Sequence, residues 1–131
     1  MGQPAAKQGD QVVASDIHIV MIPSPGGPIP TPLPHPFAGQ LDGELSSDVN
    51  IEGKAAAVQG STATNTPSHI PQGGPFQVPP KDKATIQIGS STVLINGKPA
   101  ARASDAALTC NDPADLPAGT VVASSTVLIG G

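Results

Sequence analysis

One short phrase is written three times in this chain, and that repetition restricts the fold more than any other feature. Residues 4–10 read PAAKQGD, residues 55–61 read AAAVQGS and residues 99–105 read PAARASD, and the three align without a gap. Their spacings are 51 and 44 residues, so the units share a kernel and differ in loop length, which is the mark of a repeat architecture. Before the second kernel stands SSDVNIEG, residues 46–53, and before the third stands SSTVLING, residues 90–97. Each is a β-rich run closed by a turn dipeptide. The first kernel has no such run ahead of it. The matching run, SSTVLIGG, stands at the other terminus, residues 124–131. The C-terminal strand then supplies the first half of the unit whose second half is the N-terminus. A single domain over residues 1–131 is expected, with kernels at 2–10, 53–61 and 97–105 and a closing strand at 124–131. The chain should wrap once around an axis and bring Gly131 close to Gly2, which removes the free sheet edges of an open array.

The expected fold class is all-β: a pseudo-three-fold, conical structure of short strands, closed by the N- and C-terminal segments and carrying long Pro/Gly-rich loops. Strands are predicted at 11–14, 17–22, 49–52, 85–88, 93–95, 120–123 and 127–129, all short and β-branched. A helical turn is allowed at 101–107, but no amphipathic helix of ordinary length is visible. Residues 23–36, PSPGGPIPTPLPHP, hold seven of the 16 prolines. They are expected to form a stiff, polyproline-like loop on the surface, and residues 66–80 a second such loop.

Composition limits what the chain does. Only 12% of residues are charged and the net charge is −4, with no basic patch, so nucleic acid is not an expected partner. The 131 residues include two aromatics, Phe37 and Phe76, so the core is thin and needs a staple. The single cysteine, Cys110, excludes an internal disulfide. No secretory signal and no membrane-spanning stretch is visible. Synthesis in the cytoplasm without a signal peptide is expected, with no stable membrane insertion.

A metal ion would be such a staple. The histidines and the cysteine fall at related places in the repeat: His18 is eight residues after Asp10, His69 eight after the equivalent Ser61, and Cys110 five after Asp105. His35 lies inside the proline segment of the first unit. A closed three-fold arrangement brings such positions together at one end of the axis. His18, His35, His69 and Cys110 would complete a tetrahedral shell with no open position, suited to structural Zn2+, with iron or another metal as the alternative. Intervening stretches of 16, 33 and 40 residues match no short zinc-finger pattern; repeat register carries the assignment. No catalytic residue is assigned. Ser104-Asp105 and Gly9-Asp10 recur at corresponding places, as turn residues do.

The string Pro99-Ala100-Ala101-Arg102, preceded by Ile95-Asn96-Gly97, resembles the namesake motif of the PAAR-repeat proteins. The "STVLING" runs, the histidines, the "LTC" of Leu108–Cys110 and the proline segment extend the resemblance over essentially the whole chain. The second kernel departs from the motif, with Ala55 for Pro and Val58 for Arg, and the first has Lys7 for Arg. The resemblance implies a sharp β cone with a zinc ion near its point, held by three histidines and a cysteine. It further implies a tip that caps and sharpens a trimeric spike of the valine-glycine-repeat kind, one copy per trimer, in a contractile injection or type VI secretion apparatus. Delivery outside the cell, envelope puncture and effector delivery follow from that role. An effector-recruiting adaptor, with piercing secondary, is the alternative.

Overall fold

The structure, a computed structural model, describes residues 2–130. It is all-β, and no helix occurs among the described residues. The first unit contains β1 (Gln3–Pro4), β2 (Gln11–Ile22) and β3 (Ile29–Gly43). The second contains β4 (Asn50–Ile51), β5 (Lys54–Ala55), β6 (Thr62–Asn65) and β7 (Lys83–Ile86). The third contains β8 (Leu94–Ile95), β9 (Lys98–Pro99), β10 (Ala106–Thr109) and β11 (Leu116–Val122), and β12 (Leu128–Ile129) ends the chain. Three antiparallel hairpins, β2–β3, β6–β7 and β10–β11, close into a six-stranded barrel in the order β10-β11-β2-β3-β6-β7. This ring of strands agrees with the expected β cone.

Three small antiparallel pairs accompany the barrel: β4–β5, β8–β9 and β1–β12. Glu52 and Gly53 take φ of 51° and 82°, and Asn96 and Gly97 take 52° and 78°. Positive φ at both central residues is the turn whose twist matches a two-residue hairpin. The third pair is completed by the chain's two ends, with Gln3 opposite Ile129 and Pro4 opposite Leu128. Gly131, expected beside Gly2, lies outside the described residues.

The kernels meet around the axis through a cycle of backbone hydrogen bonds. The amide of Ala6 donates to the carbonyl of Ala101, that of Ala101 to Ala57, and that of Ala57 back to Ala6, each at 3.0 Å. A second cycle runs from Gln8 to Ala55, from Gln59 to Pro99 and from Ala103 to Pro4, at 2.8–2.9 Å. Alanine is required because three backbones converge here. Ala6, Ala57 and Ala101 face the barrel core with Val12, Leu41, Ile86 and Val121. Ala5, Ala56 and Ala100 face the opposite way, onto Ile51, Ile95 and Ile129. The paired alanines are thus a waist between two small hydrophobic clusters. Behind each kernel, Asp10, Ser61 and Asp105 accept a hydrogen bond from the amide three residues earlier. That is the turn role their recurrence implied. Ser104 there takes φ 74°, so the stretch 101–107 turns sharply and holds no helical turn.

The largest departure from expectation is the proline segment. Residues 29–36 are not a surface loop but the outer half of β3, paired with β2 from Ile22↔Ile29 through Asp16↔His35. Prolines 30, 32, 34 and 36 all occupy even positions. The amide of Leu41 donates to Asp10, which leads into β2, while that of Ala38 donates to Asn65 on the other side. Amides alternate in direction along a strand, so odd positions serve β2 and even positions face away from it. The missing N–H groups are therefore ones this pairing never uses, and proline is tolerated on the free edge. β6 and β10 were also not expected. Their sequences, TATN and AALT, are short and contain no Val or Ile, and barrel closure imposes the conformation. Strands predicted at 85–88 and 120–123 begin earlier, as Lys83–Ile86 and Leu116–Val122. Residues 66–80 are irregular apart from the bridge between Phe76 and Val20.

Candidate metal centre

The first hairpin is much longer than the other two. β11 pairs with only Gln11–Val13 of β2, and β6 with only Gly39–Gly43 of β3. Beyond those contacts β2 and β3 continue as a two-stranded ribbon past the barrel rim. Side chains alternate between faces, so Asp16, His18 and Val20 from β2 share one buried face with His35 and Phe37 from β3. Two loops cover this face along the free edge of β2. The amide of Met21 donates to Pro75 and that of Gln77 to Ile19, both at 2.8 Å. The amides of Ile17 and Ile19 donate to the side chains of Asn111 (2.7 Å) and Asp112 (2.9 Å). His69 arrives on the first loop, anchored by its own amide to Asp82 Oδ1 at 2.9 Å. Cys110 is carried directly after β10.

The loop seat tolerates no added atom at Gly74, where a Cβ would stand 1.9 Å from the carbonyl oxygen of Met21. The Gly74→Ala variant is expected to lift residues 70–77 off β2 while the barrel remains folded. Hydrogen exchange at the amides of Met21 and Gln77 should rise by at least about tenfold, as a locally opened segment does.

One donor atom each from Asp16, His18, His69 and Cys110 lies within 4.8 Å of all the others, and all four groups are buried. His69 Nε2 is 3.0 Å and Cys110 Sγ 3.4 Å from Asp16 Oδ2. The rings of His18 and His69 are 4.9 Å apart, and the ring of His35 stands 5.6 Å from each. His35 Nδ1 is held by the carbonyl of Leu33 at 2.9 Å. Asp16 Oδ1, both ring nitrogens of His18 and Nε2 of His35 are buried without a hydrogen-bond partner. Leaving buried polar atoms unpaired costs about 1–3 kcal/mol each, and a cluster of carboxylate and imidazole atoms without partners suits a shared electrophile. The donors (imidazole, thiol and carboxylate) suit a transition-metal ion. The buried group could therefore hold a metal ion. Burial first, and then the neighbouring His69, lower the pKa of His18, which favours the neutral ring with one nitrogen lone pair free to ligate. Burial first, and then the Asp16 carboxylate, push the Cys110 thiol up to about 12. A bound cation would favour the thiolate and draw off that proton.

The structure thus places His18, His69 and Cys110 in one group and His35 beside it, with Asp16 as a member that sequence reasoning did not name. A signal was present: Asp16 and His18 are two apart on a strand, so they face the same way.

The PAAR motif family model matches residues 21–113 and 77–131, which together span most of the chain. The chain belongs to the PAAR-motif family. No match was found among curated proteins. Membership supports a spike-tip role in contractile injection systems generally. In this PAAR protein the motif's arginine is structural: Arg102 forms an ion pair with Asp105 at 2.9 Å and donates to the carbonyl of Gly130 at 3.1 Å. Lys7 does the same in the first unit, reaching Asp10 at 3.3 Å and the carbonyl of Ser124 at 2.6 Å. Both cations tie a kernel to the C-terminal segment; Val58, in the second unit, has no charge for such a tie. No helix of the described residues is long and apolar enough to cross a membrane.

Proposed function

We propose that this PAAR protein is a metal-stabilised, non-catalytic tip that caps the trimeric central spike of a contractile injection apparatus, one copy per trimer. The observation that carries the reading is the pseudo-three-fold hydrogen-bond cycle of the kernels, because a single chain with three similar faces can seat on a true three-fold partner. The small strand pairs supply those faces. Val49, Val93 and Val127 occupy equivalent positions and are 37%, 36% and 42% exposed, and Leu94 and Leu128 are each 62% exposed. Exposed apolar side chains on short, unextended strands suit strand-edge docking to a spike.

The ion in this reading is zinc, held by His18, His35, His69 and Cys110. These residues come from β2, β3, the loop after β6 and the position directly after β10. Such a centre would cross-link ribbon, loop and barrel, so that a narrow point resists local unfolding during puncture. His35 is oriented for this by Leu33, since a ligating imidazole typically donates its other N–H to a fixed acceptor.

The test is assembly with a trimeric valine-glycine-repeat spike, read by native mass spectrometry. One copy per trimer is expected, and a 3:3 complex would count against the docking. The double variant Leu94→Asp/Leu128→Asp should lose co-purification with the spike. Its melting temperature should stay within about 2 °C of the parent, because both side chains are solvent-exposed.

A further inference from the structure

We infer that Asp16 is a direct ligand of the ion in this centre, so that the shell contains two anionic donors, Asp16 and Cys110, among its imidazoles. The inference rests on the reading of the group as a site for a divalent metal. It extends that reading by an anionic oxygen donor.

The first argument is position. Oδ2 of Asp16 stands 3.0 Å from His69 Nε2 and 3.4 Å from Cys110 Sγ at once. Donors bound to one ion at about 2.0–2.3 Å lie about 3.3–3.8 Å apart at tetrahedral angles and down to about 2.8 Å at the right angles of a larger shell, so both separations are compatible with edges of a coordination polyhedron that has more than four ligands. A carboxylate that merely orients a ligating imidazole sits behind the ring, on the nitrogen turned away from the ion. At His69 and His35 those rear positions are taken. Asn65 Nδ2 faces His69 Nδ1 at 3.3 Å, and the Leu33 carbonyl faces His35 Nδ1 at 2.9 Å. Asp16 stands among the donor atoms rather than behind one of them.

The second argument is charge. Asp16 is 0% exposed. Its ion-pair partner among the described residues is His69, and no lysine or arginine reaches it. A buried carboxylate without a counter-charge is strongly unfavourable. A divalent ion with one thiolate and three neutral imidazoles keeps a net charge of +1, and adding the carboxylate brings it to zero. The third argument is the remaining oxygen: Oδ1 is buried and unpaired, as expected of a group whose partner is an ion.

The test is a crystal structure of the full chain loaded with zinc, together with metal content by elemental analysis. An Asp16 oxygen at about 2.0–2.2 Å from the ion establishes the ligand. An ion bound with both Asp16 oxygens beyond about 3 Å overturns it and leaves the metal centre intact. Protein that takes up no metal overturns the metal reading itself. In parallel, Asp16→Asn should lower zinc affinity by more than about a hundredfold, beyond the ~10–100-fold typical of an outer-sphere partner. It should also change the visible d–d bands of the Co(II)-loaded protein. Unchanged bands in Asp16→Asn would equally overturn the assignment. If that variant does not fold, the wild-type structure decides.

Discussion

Cys110→Ser is expected to lose stoichiometric metal and to lower the melting temperature by more than about 10 °C. The described hydrophobic core is built largely of alanine and aliphatics around a single aromatic side chain, Phe37, so little apolar area is available to compensate. The ion would join four segments that are far apart in the chain. Binding in small metal-folded domains contributes about 10–16 kcal/mol near neutral pH, more than the net stability of many small domains. For a domain of this size each kcal/mol moves the midpoint by roughly 2–8 °C, so even partial loss is a large effect. His69→Ala should behave similarly and should in addition leave the Asp16 carboxylate without its 3.0 Å partner. Elemental analysis of the purified variants, alongside thermal melts with and without a chelator, reads both quantities. Full metal content in both variants would sink the proposed role of these residues.

Ala57→Leu should be nearly as damaging, by an unrelated route. Ala57 is 0% exposed, and its amide and carbonyl are both members of the 3.0 Å cycle with Ala6 and Ala101. Three backbones approach so closely here that side chains longer than a methyl group must displace one of them. Overpacking a well-filled core typically costs 1–3 kcal/mol, and loss of hydrogen bonds in a buried cycle adds about 1 kcal/mol for each one broken. A melting temperature lower by at least about 10 °C is the expected result, with metal content unchanged in whatever fraction folds. The retained metal separates this failure from that of the Cys110 variant. A midpoint within 3 °C of the parent would show that the waist is looser than its hydrogen bonds imply.

Much of the fold was legible because it is local. The kernels align without gaps, the turn dipeptides Glu52-Gly53 and Asn96-Gly97 announce their hairpins, and the closing strand matches its siblings in register. The proline segment was misread because local rules treat proline as a breaker. Its alternation makes it an edge-tolerant strand only when β2 is present to use the other set of amides. The grouping of His18, His69 and Cys110 was legible through residue type and repeat position. Asp16 was legible only through its place two residues before His18 on the same strand face, a weak signal because an aspartate in a β-branched run is ordinarily solvated.

By itself, the sequence determined an all-β, three-unit chain closed end to end, because repeat register and turn chemistry act over a few residues. Only the tertiary structure decided that residues 29–36 extend the first hairpin into a ribbon, and that Asp16 faces His69 and Cys110, 53 and 94 positions away. The physical reason is the same for both. Whether a backbone edge is paired, and whether a buried charge has company, depends on which distant segments the closed barrel brings alongside.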